Sequence, residues 1–157
     1  MPKDSLNVIR ESLQAYADRG VFRGFAETRG TQGKRNFTFL WLTRRPMLLT
    51  IDTKKGVLRF ADLLPNVPAG SELYAGLRRF LDDKYDRGLP PHRRIDRNRA
   101  EIVCQNRLGN VSVSLRVTNN QYCYGISKIV NLVHEIFVHL GDLYADYMYE
   151  AFDTPQE

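Results

Sequence analysis

From Ile126 to Phe152 the chain carries two interleaved apolar rows, and this stretch more than any other limits what the sequence can fold into. Val130, Val133, Phe137, Leu140, Tyr144 and Tyr147 form one row, and Ile129, Leu132, Ile136 and Leu143 form the other. Spacings of three, four and seven residues predict one long helix whose apolar surface spans about half its circumference, wider than the ~100° stripe that packing on one sheet requires. Something besides a sheet is expected to cover the second row, either a second copy of the chain or the first helix of the same chain. The expectation is a two-fold homodimer, the commonest oligomer, with Leu132, Ile136 and Leu143 at its apolar interface. Tyr149 lies off the core row and is the expected aromatic contact, because Tyr is enriched in binding hot spots.

The elements before that helix follow from changes of period. Leu6, Ile9, Leu13 and Tyr16 share one stripe of a short helix, with Asp4 placed to cap it and Gly20 to end it. Val21 to Arg29, Arg35 to Thr43 and Pro46 to Thr53 then read as strands separated by turn residues, and Lys54-Lys55-Gly56 leads into Val57 to Phe60, an antiparallel meander of three to four strands. Gly30-Thr31-Gln32-Gly33 is the expected first turn. Phe37, Phe39 and Trp41 alternate with Leu40 and Leu42, so the second strand is expected to have neighbours on both sides. Ser71 can cap a second helix carrying Leu73, Leu77, Phe80 and Leu81, ending near Lys84. Tyr85 to Asn98 is nearly devoid of apolar residues and reads as a long loop, functional or mobile by its length. Glu101 to Asn106 and Val111 to Val117 form a hairpin around Leu108-Gly109-Asn110. Strands grouped between helices make an α+β domain, one unit over residues 1–157, with helices on one face of an antiparallel sheet.

Charge is distributed unevenly. All 23 Lys and Arg lie at or before Lys128, where they meet 12 of the 18 acids for a net +11; the six acids beyond leave −6, for an overall +5. The arginines concentrate in the long loop, where Arg87, Arg93, Arg94, Arg97 and Arg99 surround His92. Guanidinium groups bind carboxylate and phosphate through paired donors. Arg93, Arg94, Arg97 and Arg99 are therefore the expected contacts to acidic groups of a protein or peptide partner. The alternative is a nucleic-acid-binding module that uses the basic loop 87–99 with Arg44, Arg45, Lys54 and Lys55, and its affinity would fall steeply with salt.

Motifs that carry chemistry are missing. His134-Glu135 with His139 misses the metalloprotease spacing by one residue, and a pair at i+5 diverges by about 140° around a helix. Cys104 and Cys123 have no ligand spacing, and Cys104, in a strand, reads as a small core residue. Gly30-Thr31-Gln32-Gly33-Lys34-Arg35 is a basic hairpin loop and not a phosphate-binding loop. The expectation is a chain that is not an enzyme and uses no cofactor or metal. No apolar run reaches the ~20 residues of a membrane span and the first residues do not resemble a signal peptide, so a cytoplasmic protein with reduced thiols is expected.

The order α-β-β-β-α-β-β-α resembles the fold of the type III secretion chaperones and of the bacterial sensory transduction regulators that share it. The run Tyr124-Gly125-Ile126-Ser127-Lys128-Ile129-Val130-Asn131-Leu132-Val133-His134-Glu135-Ile136-Phe137, with Tyr144-Ala145-Asp146-Tyr147-Met148 after it, is similar to the C-terminal helix of uncharacterised bacterial proteins of this type. The resemblance covers nearly the whole chain and is topological. It implies a non-enzymatic protein, chaperone-like or regulatory, that dimerises and presents apolar surface to a partner between sheet and helices. Secretion chaperones are typically acidic, whereas this chain has a pI near 9.4.

Overall fold

The computed structural model describes residues 5–30 and 34–152. Asp4, expected to cap the first helix, and Thr31, Gln32 and Gly33 of the first turn lie outside them. Helix α1 (Ser5–Asp18) leads into a meander of four strands, β1 (Arg23–Arg29), β2 (Lys34–Leu40), β3 (Met47–Asp52) and β4 (Val57–Leu64). Helix α2 (Glu72–Asp82) and one 3₁₀ turn (Asp83–Tyr85) follow, then the hairpin β5 (Ala100–Arg107) and β6 (Asn110–Val117), and finally α3 (Tyr122–Leu143) and α4 (Ala145–Phe152). The six strands form one antiparallel sheet in the order β1-β2-β3-β4-β6-β5. The fold is α+β, with a meander of four strands.

Alternation decides which face is covered. Phe37 and Phe39 of β2, Leu49 and Ile51 of β3, Leu58 and Phe60 of β4, and Val113 and Leu115 of β6 are all buried under the helices. Their neighbours one residue away, such as Thr50, Arg59 and Ser114, lie on the opposite face, which no helix among the described residues covers. An antiparallel sheet tolerates one polar face of this kind. Helix α3 packs on β4 and β6 and also on α1, whose Ile9 and Leu13 are fully buried. An Arg10 fork on Glu27, at 2.6 and 2.9 Å, ties α1 to the edge strand β1.

Backbone detail sets these contacts. A Cβ at Gly125 would lie 2.5 Å from Val117 Cγ1, so only glycine lets the first turn of α3 approach the sheet this closely. Leu108 and Gly109, at φ 53° and 88°, form the two-residue hairpin turn between β5 and β6. In β4 the register shifts between Phe60 and Leu64 around Asp62, at φ 51°, and the Ser112 hydroxyl of β6 accepts the Asp62 N–H at 3.1 Å. The bulge thus keeps its displaced amide bonded.

The single helix expected over 126–152 is broken. At Tyr144 the backbone leaves the helical region (φ −136°, ψ 50°), and α4 turns so that Phe152 packs on Phe137 with ring centroids 5.3 Å apart. Burying Met148, Ala151 and Phe152 against the core favours the break over a straight helix projecting into solvent. Tyr147 completes the turn by donating to the Pro65 carbonyl at 2.6 Å, and burial pushes its phenol well above the usual tyrosine range.

Candidate functional site

The segment expected as a long loop runs from Asp86 to Arg99 and is pinned from beneath at several points. Ile95 is buried, and its N–H donates to the Lys84 carbonyl at 2.9 Å. The Asp96 N–H donates to the Tyr124 hydroxyl at 2.9 Å. Lys128 Nζ donates to the Pro91 carbonyl at 2.5 Å, and Asn131 reaches the His92 carbonyl at 3.5 Å. Two of these anchors are lysines that the fold buries. Lys84 is 3% exposed and pairs with Glu135 of α3, while Lys128 is 8% exposed.

The electrostatics follow from that burial. Loss of water, and after it the nearby Arg93 guanidinium, hold the Lys84 ammonium below the usual lysine pKa. Lys128 is lowered in the same way, by burial first and then by Arg94 and Arg99. A buried cation requires an acceptor, and each lysine has one within the chain. Lys84 also lies over the Phe80 ring, 4.4 Å from its centroid.

The four arginines expected to act together lie in three places. Arg93 pairs with Glu135 at 3.5 Å and borders a hollow of about 550 Å³ with His92, His134 and His139. Arg94 and Arg97 instead line a polar hollow of about 610 Å³ with Arg87, Tyr85, Asp96 and Asn98. The Arg97 guanidinium stands 4.0 Å over the Tyr85 ring, and that of Arg99 stands 3.7 Å over Tyr124 while donating to Gln121 Oε1 at 2.6 Å. Stacking on a ring orients a guanidinium and leaves most of its donors free.

The apolar interface needs correction. Leu132 and Ile136 are 3% and 0% exposed within a single chain, because α1 and the sheet already cover the second row of α3. Neither is available to a partner. Leu143 and Tyr149, at 65% and 51% exposed, remain accessible on either side of the break at Tyr144. The groove expected between sheet and helices is filled by core side chains over most of its length. A hollow of about 370 Å³ remains between the start of β3, the bulge of β4 and α4, bordered by Met47, Leu63, Phe137, Phe152 and Arg45.

His139 stacks on Phe80 at 4.4 Å, and among the described residues no group of three His, Cys, Asp or Glu stands close enough to hold a metal ion. Burial pushes the Cys104 thiol up, against the partial offset of a Tyr74 hydrogen bond, which is opposite to what a reactive thiolate needs. Cys123 is exposed at the start of α3.

Compared with family models, with curated proteins and with solved structures, the chain matches none.

Sequence reasoning missed the anchors Lys84, Lys128 and Tyr124. The signal was present for the lysines: Lys84 continues the Leu77–Leu81 stripe of α2 at i+3, and Lys128 precedes Leu132 by four on the covered row of α3. In both places the lysine stands in an apolar row and is buried with an acceptor from the chain.

Proposed function

We propose that this chain is a non-enzymatic binding protein, chaperone-like or regulatory, that uses the Asp86–Arg99 loop to hold an acidic segment of another protein. One observation carries the reading: a long basic loop, rigidly anchored through its backbone to α3, keeps Arg94 and Arg97 at one polar hollow. Preorganised guanidinium groups lose little freedom on binding a carboxylate. The nucleic-acid alternative is less well supported in its single-stranded form, where bases stack on open aromatic faces. The nearest rings, Tyr85 and Tyr124, each already carry a guanidinium. A homodimer belongs to the proposal with its contact moved to Leu143 and Tyr149. No helix among the described residues is long and apolar enough to cross a membrane.

The test is fluorescence anisotropy with a labelled Asp/Glu-rich peptide and with a single-stranded oligonucleotide of equal charge, over a salt series. The peptide is expected to bind more tightly, and Arg94→Gln with Arg97→Gln to weaken it at least about tenfold, as lost charge-assisted bonds imply. Preference for the oligonucleotide, with affinity falling steeply in salt, would replace this reading by the alternative. Light scattering of Leu143→Glu, Tyr149→Glu against wild type tests the dimer separately; equal monomeric masses would remove it.

A further inference from the structure

The uncovered face of the sheet carries a second cationic site, independent of the loop. Strand register places Arg59 of β4 near its middle, directly beside Thr50 of β3 and Ser114 of β6. The adjoining row brings Lys34, Asp52, Val57 and Arg116 side by side across the same four strands. Directly paired residues on one face stand about 5 Å apart, so these side chains share one small area. They border a hollow of about 290 Å³.

Arg59 is the unusual member. Its Nε is buried and has no hydrogen-bond partner, although one Nη donates to the buried Ser112 hydroxyl at 3.3 Å. That hydroxyl also accepts the amide of the β4 bulge, which fixes it against the guanidinium. Lys34, Arg59 and Arg116 form no ion pair with a carboxylate among the described residues. The one acid at the hollow, Asp52, is engaged through Oδ1 by the N–H groups of Lys54 and Lys55 at 3.0 and 3.2 Å. A buried donor without an acceptor is costly, and a bound ion is one of the arrangements that satisfies it.

We propose that this face binds a phosphate group. The requirement is an acceptor with several oxygens, met by the side chains that border the hollow: the Arg59 guanidinium, whose Nε the chain leaves without an acceptor, Arg116, Lys34 and the Ser114 hydroxyl. With Lys55 the hollow has four cations against one acid. That excess suits the charge of about −1.5 to −2 on a phosphate monoester better than the single charge of a carboxylate.

The direct readout is the side-chain N–H spectrum of arginine in ¹⁵N-labelled wild-type protein, with the Arg59 Nε–H assigned through its own side-chain carbons. Titration with inorganic phosphate, at ionic strength held constant with chloride, is expected to shift that resonance saturably. Arg59→Lys should weaken binding about tenfold or more, the loss of one hydrogen bond to a charged group, while Arg97→Gln leaves it unchanged. A shift that chloride reproduces, or one that never saturates, overturns the proposal without reliance on any variant folding. So does affinity retained in Arg59→Lys and lost in Arg97→Gln. A parallel titration with adenosine monophosphate separates the sources: tighter binding than inorganic phosphate assigns the site to an organic phosphate ester, and equal binding assigns it to the free ion.

Discussion

The Asp86–Arg99 loop and the open face of the sheet are both cationic, yet they treat buried charge in opposite ways. Beneath the loop every buried ammonium described has an acceptor from the chain itself: Lys84 has Glu135, and Lys128 has the Pro91 carbonyl. On the sheet, the buried Nε of Arg59 has none. The buried lysines are satisfied within the chain and hold the shape of the loop, which leaves Arg94 and Arg97 at its surface hollow, whereas the Arg59 guanidinium keeps one buried donor for which the chain supplies no acceptor. Arginine content alone, which drew the eye to the loop, therefore does not separate a charge that supports the fold from one that waits for a partner.

The comparison can be broken most forcefully at Glu135. Replacing it with Ala leaves Lys84 buried beside Arg93 without its carboxylate, and chemical denaturation is expected to show a loss of about 3–5 kcal/mol. A loss under about 1 kcal/mol would mean that the pair contributes little and that the loop is held by its backbone bonds. The pH dependence has a definite sign. The folded-state pKa of Lys84 is depressed, so the unfolded chain binds more protons in the window just below the ordinary lysine value. Stability attributable to this group should rise with pH through that window, and Lys84→Met together with Glu135→Leu should remove the dependence.

A smaller effect sharpens the same contrast. Tyr124→Phe deletes the acceptor of the Asp96 N–H and should cost about 1 kcal/mol, with faster amide exchange at Asp96 and Ile95 and little change elsewhere. Uniform exchange acceleration would show that the loop does not open independently. The smallest change is expected at Arg59: without ligand, Arg59→Gln should alter stability by less than about 1 kcal/mol, since the loss of the 3.3 Å bond to Ser112 is offset by removal of the buried Nε that the chain leaves unpaired. A large loss in urea melts would mark Arg59 as a structural residue like Lys84.

How much of this was legible in the sequence depended on whether a signal was periodic or made by contact. Alternation in β6 sent its valines inward and Ser112, Ser114 and Arg116 outward, as the structure has them. The Ser71 cap is likewise present, accepting the Tyr74 N–H at 3.2 Å. The width of the apolar surface on α3 was read rightly, but period alone does not say which body covers it, so Leu132 and Ile136 were assigned to a partner and lie inside the chain. The break at Tyr144 was invisible because the row through Leu140, Tyr144 and Tyr147 keeps its spacing across it; what bends the chain is the contact of Phe152 with Phe137. Arg59 carried no signal at all, since its significance arises from Thr50, Ser114 and Arg116, which reach it only through strand register.

The register shift in β1 between Arg23 and Ala26, with Gly24 at φ +62°, has a bearing on assembly. This strand is one of the two free borders of the sheet, where unpaired amides and carbonyls would otherwise invite another strand to add on. The kink interrupts that template, and Arg23 and Glu27 add charge along it. Continuous growth of the sheet from one copy into the next is thereby discouraged at this border.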